Sequence, residues 1–112
     1  MRLPNANRAV GERGKIIDYL LNPAHPDNAG KAPFFLGLGF SRDEWRAFAV
    51  ALGRLAETTE VVKSMESPHG RKYVLDGRLE TPAGKSSLAR VIWIVDRGAD
   101  LPRLVTAYPR PE

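Results

Sequence analysis

The chain has 112 residues, 43% of them hydrophobic and 27% charged, with a formal net charge of +4 and no cysteine. That is enough for one domain with a real core, filled by aliphatic residues with two Trp, four Phe and three Tyr, and too much apolar content for a disordered chain. No apolar run approaches the roughly 20 residues of a membrane span, the start Met1-Arg2-Leu3-Pro4-Asn5 lacks the apolar core of a signal peptide, and without cysteine there can be no disulfide, thiolate metal site or cysteine nucleophile.

A cytoplasmic protein with no membrane partner is therefore expected. The positive charge is spread evenly: residues 1–59 carry eight Lys and Arg against six Asp and Glu, and residues 60–112 carry nine against seven. With no basic tail, a nucleic-acid site would have to be assembled by folding.

In chain order, Lys15 to Leu21 places Ile16, Ile17, Leu20 and Leu21 along one helical stripe, and Asn22-Pro23 stops it, because the residue before a proline avoids the α region. Residues 22–30 hold two Pro, two Asn and a Gly and read as a loop with His25 at its centre. A second short helix is predicted from Lys31 to Leu38, with Phe34, Phe35 and Leu38 at helical spacing. Ser41-Arg42-Asp43-Glu44 matches a capping box, and the helix it opens carries Trp45, Phe48, Ala49, Leu52, Leu55 and Ala56 on one stripe to about Glu57. From Thr58 the pattern changes to four β-rich runs, Glu60 to Met65, Arg71 to Asp76, Ser87 to Asp96 and Leu101 to Tyr108, joined by short Gly-containing turns that favour antiparallel pairing of neighbours. The third run, Ala89 to Val95, is nearly continuously apolar, which marks a central strand. The expected architecture is one α+β domain, residues 1–112, with a helical part over 12–57 packed on a four-stranded antiparallel sheet over 60–108.

No glycine-rich phosphate loop, no pair of His at metal spacing and no serine elbow is present, which argues against nucleotide hydrolysis, zinc chemistry and acyl-transfer hydrolysis. What remains is two His, many Lys and Arg, and hydroxyl residues on strands. That set suits cleavage of RNA without a metal or cofactor. There the ribose 2′-OH is the nucleophile, and the enzyme supplies a proton acceptor, a proton donor and cations for the phosphate.

His25, held between Pro23 and Pro26, is either such a proton-transfer group or a loop histidine that fixes its turn. Lys31 stands where it could reach a phosphate or simply be solvated. In His69-Gly70-Arg71-Lys72, strand alternation puts Arg71 and Tyr73 on one face and Lys72 and Val74 on the other, and the plain reading of His69 is a tight turn. Arg90, the one charge within the apolar third strand, is either a phosphate ligand on an open sheet face or half of a cross-strand pair with Asp76 or Glu80. In a regular last strand Arg103 and Thr106 face opposite sides, so both can serve one site only if a bulge or the sheet edge intervenes.

The segments Tyr19-Leu20-Leu21-Asn22-Pro23-Ala24-His25-Pro26, Lys31-Ala32-Pro33-Phe34-Phe35, Lys72-Tyr73-Val74-Leu75-Asp76-Gly77, Val91-Ile92-Trp93-Ile94-Val95-Asp96 and Pro102-Arg103-Leu104-Val105-Thr106-Ala107-Tyr108-Pro109 resemble a bacterial domain family of unknown function. Its members stand alone or form C-terminal modules of larger polymorphic toxins. In its helices-then-strands order and its Thr-Ala-Tyr-Pro ending, the chain is also, more distantly, similar to the barnase, EndoU, colicin and RelE group of metal-independent ribonuclease toxins. The resemblance implies His25 as general base or acid, Lys31 and Arg103 as phosphate ligands, Thr106 and Tyr108 as hydroxyls near the scissile group, and gives weight to Lys72; the reading of the third strand adds Arg90 to Lys72 as a candidate substrate contact. It implies RNA as substrate and a cognate antitoxin or immunity protein as partner. The alternative is a non-catalytic protein-interaction module of a toxin-like locus.

Overall fold

The computed structural model describes residues 1–27 and 30–110. The sheet is a meander of β1 (Val61–Ser67), β2 (Gly70–Leu79), β3 (Ser87–Asp96) and β4 (Arg103–Pro109), hydrogen-bonded in that order and antiparallel throughout. Before it come a 3₁₀ turn at Ala6–Arg8, a short helix α1 (Arg13–Lys15) that passes directly into a π-helical turn (Ile16–Leu20), α2 (Lys31–Gly37) and the long helix α3 (Trp45–Thr58). This is the expected α+β fold, with helices packed on an antiparallel sheet. Of the loop expected over 22–30, residues 28 and 29 lie outside the described residues.

One face of the sheet makes the core. Phe48, Ala51, Leu52, Leu55 and Ala56 of α3 are buried, as the stripe in the sequence requires. They cluster with Ile16, Leu20, Leu21 and Phe35 from the other helices and with Tyr73, Leu75, Leu79, Ala89, Val91 and Trp93 from β2 and β3. Trp93 is fully buried at the centre, and its indole Nε1 has no hydrogen-bond partner among the described residues. Burying so large an aromatic surface offsets the cost of one unpaired N–H. Ser41 acts as expected in part: its hydroxyl accepts the Glu44 amide at 3.2 Å, but the regular helix starts only at Trp45.

Two irregularities depart from the expected pattern. The segment over 16–20 is a π turn, with the Leu21 amide bonded to the Ile16 carbonyl at 2.9 Å, so Ile16, Leu20 and Leu21 are buried while Ile17 is only partly covered. In β4, Thr106 pairs with Ile92 and Leu104 with Trp93, which leaves Val105 as one extra residue in a bulge. Cross-strand partners share a face, so Arg103 opposite Ile94, Thr106 opposite Ile92 and Tyr108 opposite Arg90 all lie on the face opposite Val91 and Trp93 of the core. Leu104 and Ala107 turn inward and are fully buried.

The β1–β2 hairpin turns on Pro68-His69, and Gly70 closes it with a φ of +152°. A Cβ there would stand 2.2 Å from the Val95 carbonyl oxygen, so no side chain fits without moving β3. Gly70→Ala is expected to destabilise the fold by roughly 2–4 kcal/mol, measured by chemical denaturation. A variant as stable as the wild type would show that the hairpin does not lie against β3 as described.

Candidate functional site

The β4 edge of the sheet is wrapped by the π turn, the loop after it and the start of α2. Between them lies an open cleft of about 640 Å³. It is lined by Gly14 and Lys15 of α1, Asp18 and Tyr19 of the π turn, His25 and Asp27 of the loop, and Val105 and Thr106 of the bulged strand. Three stretches of chain meet here: residues 14–19 and the His25 loop supply the titratable groups, and β4 supplies the Thr106 hydroxyl.

Lys31, the first residue of α2, organises it. Its Nζ donates to the Tyr19 hydroxyl and, at 3.0 Å, to Thr106 Oγ1. The Tyr19 and Thr106 oxygens are themselves 3.1 Å apart, so ammonium and hydroxyls close a triangle. The ammonium also stands 5.9 Å from the centroid of the Tyr108 ring, while Lys15 lies 5.3 Å from that of Tyr19. Burial opposes ionisation of the Tyr19 phenol, but the hydrogen bonds from Lys31 and Thr106 and the charges of Lys31 and Lys15 outweigh it and hold its pKa below the usual value near 10.

His25 packs edge-on against the Tyr19 ring, with centroids 4.9 Å apart and planes at 69°. The loop is stiffened by Asn22, whose Oδ1 accepts the Ala24 amide at 3.0 Å and whose carbonyl accepts the His25 amide at 3.2 Å. The Asp27 amide donates to His25 Nδ1 at 3.1 Å.

The structure thus brings together His25, Lys31, Thr106 and Tyr108 from the sequence-derived set. The bulge removes the objection that Arg103 and Thr106 face opposite ways. Arg103 nonetheless does not line the cleft: its guanidinium grips Asp96 with Nε–Oδ2 at 2.6 Å and Nη2–Oδ1 at 3.0 Å. Arg90 resolves to its cross-strand alternative, bound to both oxygens of Asp76 at 2.7 and 2.8 Å, with the Tyr108 hydroxyl as a further partner. Lys72 sits mid-sheet opposite Met65 and Ile94, away from the cleft lining. The residue that sequence reasoning missed is Tyr19. Its signal was present: it lies off the apolar stripe and four residues after Lys15, on the same helical face.

A second cleft, about 480 Å³, lies between α3 and the β2–β3 turn beside Val50, Arg46 and Arg54. It gathers no comparable set of hydroxyls and titratable groups. Among the described residues, no cluster of three His, Asp or Glu is placed to hold a metal ion, and no helix is long and apolar enough to cross a membrane.

Helices on one face of a four-stranded meander, with a lysine-bridged pair of hydroxyls in a cleft at its edge, define a small α+β domain with an edge site. The chain belongs to the family described as a domain of unknown function, DUF6883, whose model matches residues 2–111. Its fold is similar to that of a chain in a solved contact-dependent growth inhibition toxin–immunity protein complex from Klebsiella pneumoniae 342, with a TM-score of 0.75, 19% sequence identity, and coverage of 96% of this chain and 97% of that one. No curated protein matches the chain in sequence.

The Asp76–Arg90 pair supports Tyr108 from below, and its side chains are 17% and 27% exposed. The bond from Arg90, against the opposing effect of burial and with the charges of Arg90 and Arg110, holds the Asp76 carboxyl below its ordinary pKa. A depressed carboxylate contributes stability above its unfolded pKa of about 3.9, and that contribution disappears as pH falls through the folded value. Asp76→Asn is expected to lower stability at neutral pH by about 1–2 kcal/mol and to flatten the loss between roughly pH 5 and 3. Denaturation across that range checks this; an unchanged acid profile would contradict it.

Proposed function

We propose that the chain is a small metal-independent endoribonuclease toxin of the toxin–antitoxin or polymorphic-toxin kind, acting on RNA in the cytoplasm and restrained by a cognate antitoxin or immunity protein. The observation that carries this reading is the Lys31 ammonium bridging Tyr19 and Thr106 with His25 alongside, in a cleft open to a polymer. RNA brings its own nucleophile in the 2′-OH. A site with proton-transfer groups, hydroxyls and a fixed cation therefore meets the chemical needs of the reaction. The fold shared with a chain of a toxin–immunity complex supports the toxin context and the protein partner.

Lys31 would stabilise charge growing on the phosphate, with Thr106 and Tyr108 placing it. Because Arg90 and Arg103 are held by Asp76 and Asp96, their contribution is to positioning. Lys72 would contact RNA that runs across the open sheet face. The same pairing of the two arginines favours, as the second reading, a non-catalytic module that uses this face to hold another protein.

Purified protein incubated with total bacterial RNA and a chelator tests the choice. Cleavage that leaves 2′,3′-cyclic phosphate ends is expected, with 2′-deoxy positions resistant, and with Lys31→Met and His25→Ala each slower by about 100-fold or more. RNA left intact by folded wild-type protein would rule out the nuclease reading and favour the interaction module.

A further inference from the structure

Resting on the ribonuclease reading, we infer that Tyr19 is the group that accepts the 2′-hydroxyl proton, and that His25 acts through Nε2 as a hydrogen-bond donor to the phosphate. A lone histidine beside a cation would ordinarily be assigned as the base. Here the loop geometry argues otherwise. His25 Nδ1 receives the Asp27 amide at 3.1 Å, so its lone pair is occupied and the ring proton sits on Nε2. For Nε2 to accept a proton, the existing one would have to move to Nδ1, where it would confront the Asp27 N–H. The backbone bonds of His25 and Ala24 to Asn22, at 3.2 and 3.0 Å, hold the loop in this arrangement. The nitrogen available to a substrate is therefore a donor.

The phenolic oxygen of Tyr19 has the opposite character. Lys31 Nζ donates to it, and Thr106 Oγ1, at 3.1 Å, can turn its own proton toward it once the phenol is ionised. Among the described residues, the charged groups at the cleft are Lys15 and Lys31, which favour the phenolate, and Asp18 and Asp27 of the lining, which do not. The net direction is toward easier ionisation.

In the step this assigns, the Tyr19 phenolate takes the proton of the 2′-OH and the 2′ oxygen forms a bond to phosphorus. The bond from phosphorus to the 5′ oxygen breaks, leaving a 2′,3′-cyclic phosphate. The departing 5′ oxygen takes a proton from water, and the hydroxide so formed recovers the proton from Tyr19. His25 Nε2–H and Lys31 hold the phosphoryl oxygens while charge accumulates on them.

The test compares wild type, Tyr19→Phe, His25→Gln and protein carrying 3-fluorotyrosine at position 19, using a short RNA in chelator from pH 5 to 10 and thermal melts to confirm folding. The wild-type kcat/KM should rise with pH through an ionisation below that of an ordinary tyrosine, and fluorination, which makes the phenol more acidic while keeping ring and hydroxyl, should move that rise to lower pH. Tyr19→Phe should lose about 100-fold or more. His25→Gln, which keeps a neutral N–H in nearly the same place, should stay within about tenfold of wild type. A Tyr19→Phe variant with near wild-type rate, or a profile that ignores fluorination and instead loses its dependence in His25→Gln, would overturn the assignment alone. Wild-type protein that cuts no RNA would overturn the ribonuclease reading and the assignment together.

Discussion

A single extra residue in the last strand decides what stands at the edge of this sheet. In a regular strand Leu104, Thr106 and Tyr108 would share a face, and burying Leu104 against Trp93 would carry the two polar residues into the core. The bulge at Val105 breaks that alternation: Leu104 and Ala107 both turn inward, while Arg103, Thr106 and Tyr108 take the face opposite the core. The core and the cleft are thus satisfied by one strand. Everything proposed for the site follows from Thr106 being presented at an open edge where Lys31 can reach it.

The helical half is adapted to the same edge. A regular α-helical turn through residues 16–20 would distribute Ile16, Ile17, Leu20 and Leu21 as a continuous apolar stripe. The π turn instead buries three of them and leaves Tyr19 beside the strand. Lys31 then links residues 12 and 75 positions away in the chain. Arg90 and Arg103, both on the outer face, are each paired with a carboxylate on the neighbouring strand, Asp76 of β2 and Asp96 of β3. Among the described residues, the cations at the cleft are Lys15, which lines it, and Lys31, which bonds to Tyr19 and Thr106.

The architecture was legible because its signals are local. The α3 stripe, the apolar third strand and the Gly-containing turns each report a period or a break in one short window, and all were realised within a few residues. The site was legible only in part. His25 and Lys31 stood out as polar residues in a Pro-rich loop and at a helix start, and Thr106 and Tyr108 entered through the family resemblance. Tyr19 was passed over because a tyrosine beside an apolar stripe reads as packing, and its role depends on a lysine twelve residues on and a strand at the far end of the chain. The bulge left one mark in the sequence, buried-type residues three apart at Leu104 and Ala107 in a strand. For Arg90 the sequence offers the Asp76 pair as one of two readings, and for Arg103 it offers no partner, since a guanidinium's partner is fixed by cross-strand register.

The claim on which the account rests is that substrate engages the β4 edge, between the π turn, the His25 loop and Lys31. The most direct measurement is amide chemical-shift mapping of the folded chain with a short RNA carrying a 2′-deoxy substitution at each cleavable position, which binds without being cut. The account predicts shifts concentrated in residues 14–27, at Lys31 and over 105–108. Shifts gathered instead around Arg46, Val50 and Arg54 of α3, or none at all, would contradict it.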